Sequence, residues 1–157
     1  MKSIFFENEE VTENDLYFLC YMIERIARRL HQRNKYVVNK ISKEEWLRLI
    51  SLADVLHCEN PEKLEEEWIE GYELKHGDFN VLEVNRELVQ HIPTATQMGK
   101  VYKRLIIATM QQGENFIDGM IRVYNSDLCE TLDNYNCGAY YEPSYFITRA
   151  YNNDGFY

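Results

Sequence analysis

Long aliphatic runs are missing from this chain. The stretch 105–108 is typical of those present, against the roughly 18 to 20 apolar residues a membrane-spanning helix requires, so no bilayer crossing is expected. The N-terminus reads Met-Lys-Ser-Ile-Phe-Phe and turns acidic at Glu7, Glu9 and Glu10, without an apolar core segment or a small-residue cleavage site. A cytoplasmic address is the expectation. Cysteine is sparse and unevenly placed, at Cys20, Cys58, Cys129 and Cys137, which favours free thiols over a disulfide framework. Glycine never forms a G-x-G-x-x-G or G-x-x-x-x-G-K-[ST] pattern, so phosphates of a nucleotide find no backbone cradle. Neither His57–Cys58 nor Cys129–Cys137 has the paired C-x2-C or H-x3-H spacing of a tetrahedral zinc site. No metal and no cofactor is expected.

What is present is ordinary globular material. The 157 residues are 45% apolar and 27% charged, a balance that argues against global disorder. A chain of this length buries roughly two-thirds of the surface its unfolded form exposes, enough for a core without staples. Leu16, Leu19, Ile23, Ile26 and Leu30 recur at helical spacing and predict a first helix, capped by Asn14 or Asp15, with Cys20, Met22 and Ala27 widening its buried face. Glu24, Arg25, Arg28 and Arg29 fall on its polar back. Residues 36–41 offer a short second helix or a turn. Ser42 with Glu45 predicts a capping box for a helix through Trp46, Leu49, Ile50, Ala53 and Leu56.

Asn60-Pro61 predicts another helix start, with Leu64, Trp68 and Tyr72 inward and a stop at Gly77. Residues 78–94 lose periodicity and read as a connector, extended or with one short strand, closed by Pro93. Helical spacing resumes through Met98, Val101, Tyr102, Leu105 and Ile106 to a stop near Gly113. It continues from Phe116 to Leu128, across Gly119, where close helix packing is expected, and ends in a last short helix through Phe146, Ile147 and Ala150. No internal repeat is visible. The expected architecture is all-α: one helical domain over 1–157, a bundle of six to seven helices in two halves, 1–77 and 95–157.

The net charge of −9 is unevenly distributed along the chain. Residues 25–43 hold Arg25, Arg28, Arg29, Arg33, Lys35, Lys40 and Lys43 with no acid, whereas 59–73 hold seven glutamates, Glu62 and Glu66 among them, against Lys63 alone. A basic patch and an acidic patch are therefore expected, and with them a dipolar docking surface. Nucleic-acid contact through 25–43 is the alternative use of the basic stretch. It fits poorly with a pI near 5.0 and with a following helix that opens Lys-Glu-Glu-Trp, aiming carboxylates where phosphates would lie.

Chemistry-bearing residues are few. His57 beside Cys58 suggests a base and a nucleophile, but neighbours on a helix point about 100° apart, and no third group orients the pair. An enzyme is not expected. The C-terminal third instead concentrates Tyr124, Tyr135, Tyr140, Tyr141, Tyr145, Tyr151 and Tyr157, interleaved with Asn125, Asn134 and Asn136. Tyrosine combines a large apolar body with a polar tip, so this region reads equally as a protein interface or as a cap stitched over the core.

The strings Asn14-Asp15-Leu16-Tyr17-Phe18-Leu19, Leu52-Ala53-Asp54-Val55-Leu56-His57-Cys58-Glu59-Asn60, Gly99-Lys100-Val101-Tyr102-Lys103-Arg104-Leu105-Ile106 and Val123-Tyr124-Asn125-Ser126 together resemble a family of small helical bacterial proteins of Firmicutes type. Members of that family tend to be encoded beside toxin genes, ADP-ribosyltransferase-like ones included. The resemblance implies an antitoxin-like or accessory binding role and brings no catalytic residue with it. The expectation is thus a non-catalytic protein-binding module whose partner is another protein, the product of a neighbouring toxin gene, with a homodimer also open and nucleic acid disfavoured. Its expected contact residues are Arg25, Arg28, Arg29, Arg33, Glu62, Glu66, Tyr124, Tyr140, Tyr141 and Tyr145.

Overall fold

The computed structural model describes residues 1–6 and 8–156. Among them the chain is all-α, with nine α-helices and one 3₁₀ turn. They are α1 (Glu13–Leu30), α2 (Asn34–Lys40), α3 (Lys43–Ser51), α4 (Ala53–Leu56), α5 (Pro61–Gly71), α6 (Ala95–Thr109), α7 (Phe116–Tyr124), α8 (Asp127–Leu132), the 3₁₀ turn Ala139–Tyr141, and α9 (Ser144–Asn152). The count exceeds six or seven because two expected helices are each divided. The first breaks at Leu52, where the backbone leaves helical geometry, and the second between Tyr124 and Asp127. None of the helices is long and apolar enough to cross a membrane.

α1 occupies the centre. It packs against α2, α3, α4 and α5 from its own half and most extensively against α6 from the other, while α6 also meets α7 and α9. Leu16, Leu19, Ile23 and Ile26 are completely buried, as the helical spacing predicts, and join Met98, Ile106, Ile117, Met120 and Val123 in one continuous core. Each such side chain contributes roughly 1.5–3 kcal/mol on burial. The α1–α6 approach depends on Gly99, whose absent Cβ would lie 3.1 Å from the Tyr21 backbone nitrogen. Gly119 plays the same part between α6 and α7, 3.1 Å from the Ile106 side chain.

Cap chemistry departs from expectation at several ends. Thr12, not Asn14 or Asp15, caps α1: its hydroxyl accepts the Asp15 N–H, and the Asp15 carboxylate accepts the Thr12 N–H at 2.8 Å. Thr94 with Gln97, and Asn115 with Asp118, close the same reciprocal box on α6 and α7. Ser42 makes only half of one, because the Glu45 carboxylate turns to Arg48 at 2.7 Å. α5 ends at Gly71 instead of Gly77, since Glu73 adopts a left-handed conformation with φ 54°.

The connector 78–94 forms no strand. Asn80 and Asn85 turn their side chains back to accept the N–H groups of Leu82 and Glu87, at 3.1 and 2.9 Å, an alternative to sheet pairing that asparagine provides locally. An isolated antiparallel bridge, Lys2 to Glu10, is the single β-type pairing among the described residues.

Candidate functional site

The stretch 25–43 does not form a free basic patch. Arg25, half-buried, and Arg29, exposed on α1's polar edge, both reach Glu65 on α5, and Arg29 also reaches Glu66 at 3.3 Å. Lys35 meets Glu130 and Lys43 meets Asp118, whose carboxyl this ammonium holds below its usual range. The Arg33 guanidinium sits over the Phe79 ring at 4.0 Å, and both line a polar cleft of about 590 Å³ beneath the connector. The two charge stretches that the sequence separates are thus packed against each other by the α1–α5 contact. A dipolar docking surface built from them is corrected to an internal ion-pair seam. Of the two acidic residues singled out, Glu66 joins that seam, and Glu62 stays exposed in α5's first turn, where its N–H donates to Asn60.

Glu24 and Arg28 are corrected further, because α1's expected polar back faces the C-terminal half. Glu24 is 2% exposed. Its carboxylate accepts the Tyr135 hydroxyl at 2.6 Å and Arg28 at 3.3 Å, while Arg28 also donates to the Pro93 carbonyl at 2.8 Å and to Tyr135. Next to this pair Asp133 accepts the Tyr102 hydroxyl at 2.7 Å and the Asn34 amide at 3.2 Å, with the Cys129 thiol 3.4 Å away. Burial, reinforced by the Glu24 charge, raises Asp133 from 3.8 to about 8. Burial likewise pushes up Tyr102, Cys129 and Tyr135. One carboxylate balanced by Arg28, beside one carboxylic acid that keeps its proton at neutral pH, is the stable arrangement of this cluster. It ties α1, α2, α6 and α8 together, and its Asp133 and Tyr135 border the polar cleft beneath the connector.

His57 and Cys58 do not form a nucleophile and base. His57 packs on the Phe18 ring, and the Cys58 thiol points to the Asp54 carbonyl at 3.6 Å. One Glu-x-x-His spacing does occur, Glu73 to His76, the spacing a di-metal helical site uses on facing helices. It falls beyond the end of α5, where the His76 ring lies against His31 at a tilt of 59°. No group of three or more ligating side chains assembles among the described residues.

The tyrosine-rich region divides between core and surface. Tyr124 is corrected from contact residue to core residue: it is fully buried and stacked on Tyr102 with ring centroids 4.3 Å apart. Tyr135 is buried in the Glu24 cluster, and Tyr140 is half-buried against its ring edge. Tyr157 lies outside the described residues. Tyr141 and Tyr145, by contrast, are 82% and 63% exposed. Phe146 is also exposed and lies tilted against Tyr145, because Ile147 and Ala150 set the buried face of α9.

Tyr141, with the half-buried Tyr140, Lys100 and Arg104, lines a groove of about 290 Å³ between α6 and α9, whereas Tyr145 and Phe146 lie outside it. The structure therefore brings Tyr140 and Tyr141 together at the groove, leaves Tyr145 exposed on α9 outside its lining, and puts every other expected contact residue elsewhere. Lys100 and Arg104 are inconspicuous in the sequence because they sit inside an otherwise apolar helical pattern. The signal that finds them is that neither α6 nor α9 contains an acidic residue. Comparison with protein-family models, curated proteins and solved structures finds no match to this chain.

Proposed function

We propose that this chain is a non-catalytic protein-binding module that receives its partner on the face made by α6, the 3₁₀ turn and α9. The exposure of Tyr141 and Tyr145 carries this reading. Tyr141 stands in solvent at the end of the 3₁₀ turn and Tyr145 on α9, whose other side is anchored in the core through Ile147 and Ala150. Aromatic residues held this way lose little conformational entropy on binding and are enriched among residues that dominate interface energetics. The resemblance to proteins encoded beside toxin genes points to the product of the adjacent gene as the partner, and to a neutralising, antitoxin-like role.

The alternative, a nucleic-acid-associated regulator using 25–43, loses its support in the pairing of Arg25, Arg28, Arg29, Lys35 and Lys43 with carboxylates. Co-expression and pull-down with the adjacent gene product is the direct test. A complex is expected at micromolar concentration, with dissociation constants raised about 100-fold or more when Tyr141→Ala and Tyr145→Ala are combined. Absence of any complex, or capture indifferent to both substitutions, overturns the reading.

A further inference from the structure

Building on that docking face, we propose that the partner segment it accepts is acidic: a short polypeptide stretch that places carboxylates between Lys100 and Arg104 and an apolar side chain on the groove floor. Lys100 and Arg104 are four residues apart on α6, so they stand one above the other on the same side of the helix. Both line the groove, and neither enters an ion pair among the described residues. Their situation is the reverse of Arg25 and Arg29, which α5 neutralises.

Leu105 and Ile147 form the apolar floor, and Glu142 is the sole acidic residue lining the groove. Two unpaired cations over an apolar floor complement a segment that alternates carboxylates with an aliphatic anchor. The rest of the molecule enforces the choice of site. With a net charge of −9, most of the surface repels an acidic segment, so the groove is where such a segment finds attraction.

Charge also separates this occupant from two others. A nucleic-acid strand carries a phosphate at every nucleotide and would extend past Glu142 and two cations onto an acidic surface. A second copy could offer the exposed glutamates of α5, but it brings a further −9 with it. The groove volume of about 290 Å³ suits one or two side chains and not a stacked row of bases.

Fluorescence anisotropy on the full chain tests the assignment with three probes: a short labelled glutamate-rich peptide with a central leucine, its glutamine-for-glutamate counterpart, and an oligothymidylate of equal length. The glutamate peptide is expected to bind, to weaken with added salt, and to lose at least about tenfold in affinity in the K100A/R104A variant. Lys40→Ala, which removes an exposed cation on α2, is expected to leave binding unchanged. Failure of the glutamate peptide to bind, equal binding of the glutamine peptide, tighter binding of oligothymidylate, or indifference to K100A/R104A each overturns the proposal. So does self-association, measured by sedimentation, that the same double variant abolishes. The pull-down separates this from the reading beneath it. Capture lost in the tyrosine variants but unchanged in K100A/R104A removes the acidic segment and keeps the docking face. Peptide binding without capture keeps the groove chemistry and removes the adjacent gene product as partner.

Discussion

Positive charge on α1 and α2 is met almost everywhere by a carboxylate or a ring, whereas Lys100 and Arg104 on α6 are exposed and enter no ion pair among the described residues. Arg25 and Arg29 share Glu65, some forty positions along the chain, and Arg28 is drawn inside by Glu24 and Tyr135. Lys100 and Arg104 border a groove instead. The denser cluster in the sequence is therefore structural, and the sparser one is open to a ligand. A run of like charge along a chain is a statement about composition. What that charge does depends on which helix the fold lays against it.

The contrast can be broken most strongly at Arg28. Arg28→Met leaves the Glu24 carboxylate buried with the Tyr135 hydroxyl as its remaining side-chain partner, and is expected to cost about 3–5 kcal/mol of stability in urea denaturation. A cost below about 1 kcal/mol would mean that Glu24 is solvated and that the two regions are alike.

Asp133 sharpens the same point through pH. Its pKa is raised from 3.8 to about 8 in the folded chain, so folding is favoured while the group keeps its proton. The associated stability is fully present at the acid end of that window and is lost as pH rises through it. Denaturation midpoints followed across the window are expected to show this decline in the parent chain and to lack it in Asp133→Asn. A decline of the same size in both chains would reassign it to other groups.

Glu65→Gln is expected to lower stability by about 1–2 kcal/mol, because Arg25 and Arg29 keep a hydrogen-bonding partner but lose its charge, and both are partly solvated. Thermal denaturation at low and high salt reads the difference, which should narrow as salt rises. At the small end, Lys100→Ala combined with Arg104→Ala is expected to move stability by no more than about 0.5 kcal/mol, since neither residue holds the fold together. A larger loss in thermal denaturation would place these cations with Arg28 as structural residues.

Much of the fold was legible in the order of residues. The stripe Leu16, Leu19, Ile23, Ile26 and Leu30 is buried as its spacing predicts, and Asn60-Pro61 opens α5 with the asparagine accepting the Glu62 N–H. Gly119 does mark a close helix contact. Breaks were less legible, because Leu52 and Asn125 are not strong helix breakers and the divisions arise where the chain must turn to keep both neighbouring faces buried. The contact residues were legible only in part. Tyr141 and Tyr145 are surface residues, whereas Tyr124 has the same side chain and lies in the core.

The sequence by itself determined that this chain is helical, where most of its helices run and which aliphatic side chains line them, because helical periodicity and caps act over a few neighbouring residues. Tertiary structure alone decided the fate of its polar groups. Burial of Glu24 and Asp133, neutralisation of Arg25 and Arg29 by Glu65, and exposure of Lys100 and Arg104 all follow from contacts between helices distant in sequence. The strength of a charge depends on its dielectric surroundings and its nearest opposite charge, and neither is a local property of the chain.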